Sequence, residues 1–334
     1  MNDLAFVVPA GIDDATRASG GNVYDRRLRD RLGALGWAVV THEVQGIWPA
    51  ASREQAPDLR AVPDDSLVLV DGLIERGAPH AIAELGRRTR LALLLHTADG
   101  PEPDVLDRTR LVVTTSYWTA RRLAETREMA GVRIAVARPG TDRAPLTTPA
   151  PDGSRLLCVA AVVPAKGLDR LIGAVTGLVD QSWTLRCVGP LDRDPEFVAE
   201  LWSGLARDGC AERVEFTGTL TGRDLDVAYS QADLLVLASR GESYGMVIAE
   251  ALARGLPVLA SSLGGTAEAL GLTAAGERPG LLVRGGEFGS ALRRWLTDAG
   301  LREDLRRAAA ERRTTLTGWD DTAATVAAAL AGYT

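Results

Sequence analysis

The chain has 334 residues, a net charge of −6 and 46% hydrophobic residues, which favours a globular protein of two domains. This charge argues against nucleic acid as a partner, and no apolar run reaches the ~18 residues of a membrane span, although peripheral membrane contact through an arginine-rich patch stays open. Three scattered cysteines exclude a disulfide or zinc framework, and the first residues show no signal-peptide pattern, so we expect a cytoplasmic protein.

Short apolar runs alternate with longer amphipathic runs along the chain. The first series predicts strands at 4–8, 38–41, 67–70, 91–95, 111–114 and 134–137, with helices at 23–35, 79–88 and 118–128. The second series predicts strands at 156–162, 185–188, 214–217, 234–237, 258–260 and 281–283, with helices at 168–178, 196–206, 223–229, 246–253 and beyond 288. Short apolar strands separated by helices are typical of parallel sheets.

The pattern therefore predicts an α/β protein with two Rossmann-like domains. We place the first domain at 1–144, the second at 145–315, and a C-terminal helix at 316–334 that packs back on the first domain. Ligands of parallel sheets bind at the carboxyl ends of the strands. We therefore expect the two domains to face each other across a cleft that holds the site.

The strongest motif lies in segment 238–260, where a buried strand ends in a polar loop and a helix follows. Glu242 lies in the loop, and Glu250 is predicted to lie two turns into the helix, on the face of Ser243. A carboxylate at that depth can accept hydrogen bonds from ribose hydroxyls. The N–H groups that open the helix are expected to bind an anion. They belong to Tyr244, Gly245 and Met246. The alternative is a solvated pair of glutamates around an ordinary helix start.

The run from Glu242 to Glu250 resembles the E-x7-E motif of retaining glycosyltransferases of sequence family four. The resemblance covers the predicted second domain and extends more weakly into the first. It implies the GT-B fold and transfer of a sugar from a nucleoside-diphosphate sugar to an acceptor hydroxyl, with retention of anomeric configuration. It also implies that Glu242 lies at the donor sugar and that Glu250 binds the nucleotide ribose. We expect no cofactor and no metal, since the Asp-x-Asp run at 192–194 is interpreted as a helix cap.

Lys166 is the only lysine among 38 basic residues, and it lies where a loop meets a helix. A lysine there can neutralise a diphosphate leaving group, and Lys166-Gly167 is similar to a motif of the same family. That family often has an arginine five residues earlier, where this chain has Ala161. Arg240 and Arg138 are the candidates to replace it. The alternatives for Lys166 are an exposed surface lysine, or a Schiff-base lysine for which no cofactor pattern is present.

Glycines mark three further turns on the donor side. Gly20 and Gly21 are expected in a turn before the first helix, where they either face the donor diphosphate or only shape the turn. The resemblance places two more segments beside the donor. They are Gly218-Thr219-Leu220, at the nucleotide base, and the glycine turn Gly264-Gly265-Thr266.

Two residues of the first domain are candidates for the acceptor side. His96 ends a buried strand and is predicted to face the cleft, where it could bond a sugar hydroxyl or position the acceptor. The alternative for His96 is a purely structural role. Ser116 follows the next strand and is predicted either to line the acceptor site or to cap a helix.

Two other functions stay open at this point. A nucleotide-sugar epimerase of the same fold would convert the donor without any acceptor. An inactive sugar-nucleotide-binding or scaffold protein could descend from a transferase, and the loss of an arginine at Ala161 is compatible with that history.

Overall fold

The computed structural model describes residues 2–17, 19–46, 48 and 57–333. The chain forms two compact units, of which the first comprises Met1–Gly140 and Thr317–Thr334 and the second comprises Thr141–Leu316. The predicted boundaries, at 144 and 315, lie close to these limits. Among the described residues, no helix combines the length and apolar character that crossing a bilayer requires.

The strands agree with the predicted positions throughout, with small differences at their ends. In chain order they are β1 (Asn2–Pro9), β2 (Trp37–Val44), β3 (Leu67–Asp71), β4 (Arg90–Leu95), β5 (Thr109–Thr114), β6 (Arg133–Val136), β7 (Arg155–Val159), β8 (Thr184–Val188), β9 (Val214–Gly218), β10 (Leu234–Leu237), β11 (Val258–Ser261) and β12 (Gly280–Val283). Their apolar residues are buried because helices cover both faces of a parallel sheet.

The helices agree less well, because short helices carry little periodic signal. They are α1 (Gly20–Ala34), α2 (Gly72–Gly77), α3 (Pro79–Gly86), α4 (Pro103–Leu106), α5 (Tyr117–Ala124), α6 (Leu168–Thr176), α7 (Pro195–Arg207), α8 (Gly222–Ser230), α9 (Met246–Ala253), α10 (Thr266–Leu270), α11 (Phe288–Thr297), α12 (Ala299–Arg313) and α13 (Trp319–Ala331). The sequence pattern did not predict α2, α4 or α10. The helix predicted at 118–128 ends earlier, at Ala124.

Each unit is built on one six-stranded parallel sheet. The first sheet has the order β2-β1-β3-β4-β5-β6, and the second has the order β12-β11-β10-β7-β8-β9. In the first sheet, β2 lies on one side of β1, and β3 to β6 follow on the other side. In the second sheet, β8 and β9 lie on one side of β7, and β10 to β12 follow on the other side. The order therefore reverses between β1 and β3 in the first unit and between β7 and β10 in the second.

The C-terminal helix α13 belongs to the first unit. Trp319 at its start meets the ring of Tyr24 in α1 edge-on, with 5.6 Å between the ring centroids. The Thr322 hydroxyl donates a 2.7 Å hydrogen bond to the carbonyl of Arg138. These contacts fix the end of the chain against α1 and against the segment that follows β6.

The three cysteines are free and buried. Cys158 and Cys187 are paired in register on β7 and β8, inside the core of the second unit. This confirms that they serve as small core residues.

In the run 192–194, the Asp194 carboxylate accepts a hydrogen bond from the Phe197 backbone N–H and caps α7, as the sequence indicated.

Candidate functional site

In the second unit, two predicted site residues meet where the strand order reverses. Lys166 lies in the loop after β7, and Glu242 lies in the loop after β10. Lys166 Nζ is 2.7 Å from Glu242 Oε1, although 76 positions separate the two residues in the sequence. Open parallel sheets bind their ligands at this kind of reversal, outside the carboxyl ends of the strands. The topology therefore places both side chains where a ligand is expected.

The Glu242 carboxylate holds two partners at one oxygen. Besides Lys166, the Ser239 hydroxyl donates to Oε1 at 2.8 Å. The Glu242 side chain is 12% exposed and the Lys166 side chain is 33% exposed. A partly buried charge needs such compensation, and the ammonium and the carboxylate supply it to each other. An incoming diphosphate would compete with Glu242 for the lysine.

Glycines bring the loops of this site into backbone contact. Gly167 has a left-handed φ of +68°, and a Cβ there would lie 2.1 Å from the carbonyl oxygen of Ala238. Gly264 has a φ of +60°, and a Cβ there would lie 1.9 Å from the carbonyl oxygen of Glu242. The Gly265 N–H donates to that same carbonyl at 2.8 Å. Glycine is required because no side chain fits between these backbones.

Helix α9 begins later than the motif suggested. Gly245, with a φ of +94°, is the N-cap, and Met246 is the first helical residue. Ser243 therefore lies outside the helix, and its predicted position on the helix face of Glu250 is wrong. Glu250 lies about one turn beyond the N-cap rather than two. The first helical N–H group is that of Met246, so Tyr244 and Gly245, which were expected to open the helix, precede it. No side chain of the N-cap residue bonds to the N–H groups of the first turn.

Glu250 is held by residues that the sequence did not single out. The buried Tyr229 hydroxyl, on α8, donates to Glu250 Oε2 at 2.8 Å. The guanidinium of Arg254 lies over the Tyr229 ring, 4.4 Å from its centroid, and donates to the Glu250 carbonyl. Burial raises the pKa of the Glu250 carboxyl, while the Tyr229 hydrogen bond and the Arg254 charge oppose that shift. Tyr229 therefore fixes one carboxylate oxygen in place.

The segment assigned to the nucleotide base lies at the same edge of the second sheet. Gly218 ends β9 with a φ of +74°, and its carbonyl accepts a hydrogen bond from the Gly189 N–H. Thr219 and Leu220 are half-buried, and Leu220 packs on the apolar cluster that contains Tyr229. The fold thus connects this segment to the group that holds Glu250.

Arg240 has a structural partner of its own. It makes a bidentate ion pair with Asp169, with distances of 2.8 and 2.5 Å, and it also donates to the carbonyl of Pro164. Arg138 belongs to the first unit, where its guanidinium lies 5.9 Å from the centroid of the Tyr117 ring. Replacement of the missing arginine at Ala161 by Arg240 would require the Asp169 pair to open.

In the first unit, Gly20 and Gly21 are the first two residues of α1 rather than a turn before it. The predicted helix start at 23 is wrong because Ser19 caps the helix earlier, its Oγ accepting from the Asn22 N–H at 3.1 Å. Ser116 is fully buried and caps α5, since its Oγ accepts from the Thr119 N–H at 3.0 Å. Capping was one of the two roles considered for Ser116.

His96 follows β4 immediately, and two buried aspartates lie against it. His96 Nε2 lies 3.0 Å from Asp25 Oδ1 and 3.6 Å from Asp71 Oδ2. Burial lowers the pKa of His96, but the charge and hydrogen bond of Asp25 and the charge of Asp71 outweigh it and raise the pKa to about 9. Among the described residues, these three form one group that could hold a metal ion. Each offers one nitrogen or oxygen atom, and the three atoms lie within 4.8 Å of one another.

Sequence reasoning missed Asp25, Asp71 and Tyr229, and signals existed for the first two. Asp25 occupies a position on the buried face of α1, three and seven residues before Leu28 and Leu32. Asp71 ends the fully buried run of β3. A charged residue in a buried apolar pattern is costly without a partner, which marks both positions as unusual. Nothing in the sequence around Tyr229 distinguishes it from a core tyrosine.

Comparison with known proteins identifies the second unit. Residues 153–298 match the family model described as glycosyl transferases group 1. The second unit belongs to the glycosyl transferases group 1 family. A D-inositol 3-phosphate glycosyltransferase of Salinispora arenicola is 32% identical to this chain over 256 residues, which cover 67% of this chain and 54% of that protein. The chain spans about half the length of the curated relatives it matches.

Solved structures show that the fold of the chain is GT-B. A sucrose-phosphate synthase from Thermosynechococcus elongatus is 20% identical with a TM-score of 0.77, and the match covers 98% of each chain. The Anabaena protein HepE, solved in complex with UDP-glucose, is 17% identical with a TM-score of 0.72. That match covers 99% of this chain and all of HepE. The two parallel six-stranded sheets confirm the predicted α/β fold class.

Proposed function

We propose that the protein is a retaining, metal-independent glycosyltransferase that moves a sugar from a nucleoside-diphosphate sugar to an acceptor hydroxyl. The pairing of Lys166 with Glu242 at the reversal of the second sheet is the observation that carries the proposal. It joins a diphosphate-neutralising cation to a carboxylate of the E-x7-E motif at the position where such sheets bind ligands.

The geometry supports a defined role for each group. The diphosphate takes the place of Glu242 beside Lys166, and the N–H groups at the start of α9 add their partial positive charge. Glu242, released from the lysine, is then available to the hydroxyls of the donor sugar. Glu250, held through Oε2 by Tyr229, accepts hydrogen bonds from the ribose. Lys166 and the N–H groups stabilise the charge that develops as the carbon–oxygen bond to the diphosphate breaks.

Thermal stabilisation by a panel of nucleoside diphosphates tests the donor site directly. A ligand at about 100 times its dissociation constant adds about 2.7 kcal/mol to the free energy of unfolding. We expect one base to stabilise the wild type selectively, and Lys166→Ala and Glu250→Ala to lose that stabilisation. Arg170→Ala, which removes an exposed basic residue from the same segment, is the matched control and should keep it. A folded wild type that no nucleotide stabilises would contradict the proposal.

Product analysis separates the transferase from its alternatives. HepE binds UDP-glucose and the relatives are named for inositol 3-phosphate, so uridine donors and inositol phosphates are the first substrates to test. A glycosylated acceptor with the donor's anomeric configuration, formed equally in the presence of a chelator, is the expected product. Conversion of the donor without acceptor would indicate an epimerase, and nucleotide binding without turnover would indicate a scaffold protein.

A further inference from the structure

A buried polar group lies where the strand order of the first sheet reverses. Asp71 ends β3, and Asp25 lies in α1, the helix that follows β1. His96 follows β4, the next strand of the sheet beyond β3. Asp25 and Asp71 are fully buried, and the His96 side chain is 13% exposed. His96 is therefore the only one of the three side chains that is exposed to solvent.

Each of the two aspartates has one carboxylate oxygen that accepts a hydrogen bond and one that does not. Asp25 Oδ1 is bonded to His96 Nε2 at 3.0 Å, and Asp71 Oδ1 accepts from the Leu73 N–H at 2.5 Å. The other oxygen of each, Asp25 Oδ2 and Asp71 Oδ2, is buried without a hydrogen-bond partner. One carboxylate oxygen of each aspartate and a ring nitrogen of His96 lie within 4.8 Å of one another. An ionised carboxylate only accepts hydrogen bonds, so two ionised carboxylates this close would repel, whereas one added proton would give the pair a donor.

We propose that Asp71 carries a proton that it shares with Asp25, and that Asp25 thereby holds His96 as a fixed imidazolium at the carboxyl end of β4. In this arrangement Asp71 is neutral, Asp25 is negative and His96 is positive, so the buried group has no net charge. Asp25 and Asp71 are positioning residues that act through the histidine. Burial and the neighbouring Asp25 raise the pKa of Asp71, in agreement with this assignment.

Tyr24 and Gly21 pack against the histidine ring, and neither supplies a charge. The Tyr24 ring meets it edge-on, with 5.2 Å between centroids at an angle of 75°. Burial raises the pKa of Tyr24, so this residue stays neutral and cannot replace Asp25 as the counter-charge. On the side of Gly21, a Cβ would lie 3.5 Å from the ring, in ordinary contact. With Nε2–H directed at Asp25, the imidazolium retains Nδ1–H as a second charged donor. Its use on a substrate oxygen rests on the proposed function.

The protonation state of His96 can be measured by NMR without any substrate. The chain has three histidines, so protein labelled with ¹⁵N-histidine gives few signals, and the ring nitrogen shifts report protonation. In the wild type, His96 should stay protonated through neutral pH, with its pKa raised above the ordinary value of 6.5 by Asp25. The exposed His80 is the internal reference, and its signals should not change between variants.

Two isosteric variants distinguish the roles of the aspartates. Asp25→Asn removes the counter-charge and should lower the titration midpoint of His96 by about 1–3 units. Asp71→Asn should leave the midpoint close to that of the wild type, because its amide N–H donates to Asp25 as the protonated carboxyl does. This asymmetry is specific to a proton on Asp71, since an ionised Asp71 would make both variants shift the midpoint in the same direction.

Three results would overturn the inference. They are a wild-type His96 that is neutral at neutral pH, equal shifts in the two variants, and a stoichiometric divalent metal in the purified wild type that both variants lose. If Asp25→Asn fails to fold, Asp71→Asn decides by itself, because an ionised Asp71 would make that variant lower the midpoint of His96. Because no donor or acceptor is present, failure of this test is distinct from failure of the proposed transferase activity.

Discussion

At the scale of single residues, three of the charged side chains considered for function are neutralised by charged partners within their own unit. Glu242 balances Lys166, Asp169 balances Arg240, and Asp25 balances His96. A partly buried charge without such a partner would destabilise the folded chain. Binding of an anionic ligand at Lys166 is therefore an exchange of partners, and the hydroxyl of Ser239 remains to satisfy Glu242 during that exchange.

The orientation of Glu250 can be tested at Tyr229. Tyr229→Phe removes the hydroxyl that fixes Oε2 and should weaken binding of a nucleoside diphosphate about tenfold, because hydrogen bonds to charged groups contribute about 1.5–3 kcal/mol. Calorimetric titration with the ribonucleotide and with its dideoxy analogue measures the effect. The loss should be confined to the ribonucleotide. Equal weakening of both ligands would show that Tyr229 acts on packing rather than on recognition of the ribose.

The His96 group also predicts how stability depends on pH. A pKa raised from 6.5 to about 9 on folding contributes stability that is fully present below 6.5 and is lost as the pH rises through 9. The free energy of unfolding in urea should therefore fall between these two pH values. Asp25→Asn should flatten that decline, because it removes the charge that raises the pKa. A wild-type stability that is constant across this interval would contradict the prediction.

At the scale of elements, the site of the second unit depends on backbone contacts between loops, and glycines make those contacts possible. The loop after β7 contacts the loop after β10 at Gly167, and the turn after β11 contacts it at Gly264. Because both glycines have left-handed φ angles and lie against backbone atoms, a side chain would displace the loops that carry Lys166 and Glu242. Packing of backbones thus sets the distance between the two functional side chains.

Substitution at Gly264 tests this dependence. Gly264→Ala should destabilise the protein by more than 1 kcal/mol and reduce nucleotide binding, since its Cβ would overlap the Glu242 carbonyl. The matched control is Gly173→Ala, within α6, where a Cβ meets nothing within 4 Å. It should stabilise the protein by about 0.5–1 kcal/mol and leave binding unchanged. Thermal unfolding with and without nucleotide measures both effects, and a Gly264 variant that binds normally would refute the argument.

At the scale of the whole molecule, the last strand, β12, lies in the second unit, whereas the C-terminal helix α13 belongs to the first unit. After α12 the chain leaves the second unit, and residues Thr317–Thr334 complete the first. Trp319 is buried there beside Tyr24, and its backbone lies so close to Gly140 that a Cβ at that glycine would be 2.3 Å from the Trp319 nitrogen. The first unit therefore depends on the last residues of the chain for part of its core.

Truncation of that tryptophan should affect one unit. Trp319→Ala should cost about 3–5 kcal/mol, the usual range for a buried tryptophan, and lower the unfolding transition of the first unit. The transition that nucleotide raises, assigned to the second unit, should stay in place. Trp202→Ala, at a side chain that is 40% exposed, is the control and should cost much less. A uniform shift of all unfolding transitions would show that the two units unfold as one.

Prediction from sequence succeeded for the strands and was less accurate for helix starts. The apolar runs of β3 and β4 are continuous and buried, and such runs can be recognised from the sequence alone. The start of α1 was placed too late because the Ser19 cap, rather than the hydrophobic pattern, decides where the helix begins. The position of Ser243 was wrong for a related reason, since Gly245 caps α9 with a left-handed backbone conformation that the spacing of the glutamates does not reveal.

The sequence by itself determined the class of the fold, the conspicuous lysine Lys166 and the glutamate spacing that leads to the proposed chemistry. Only the tertiary structure decided which side chains meet, because contacts between loops depend on the order of strands in a sheet and not on distance along the chain. Lys166 reaches Glu242, and His96 reaches Asp25 across 71 positions. Periodicity reports whether a residue is buried, whereas the strand order determines the partner that makes burial of its charge possible.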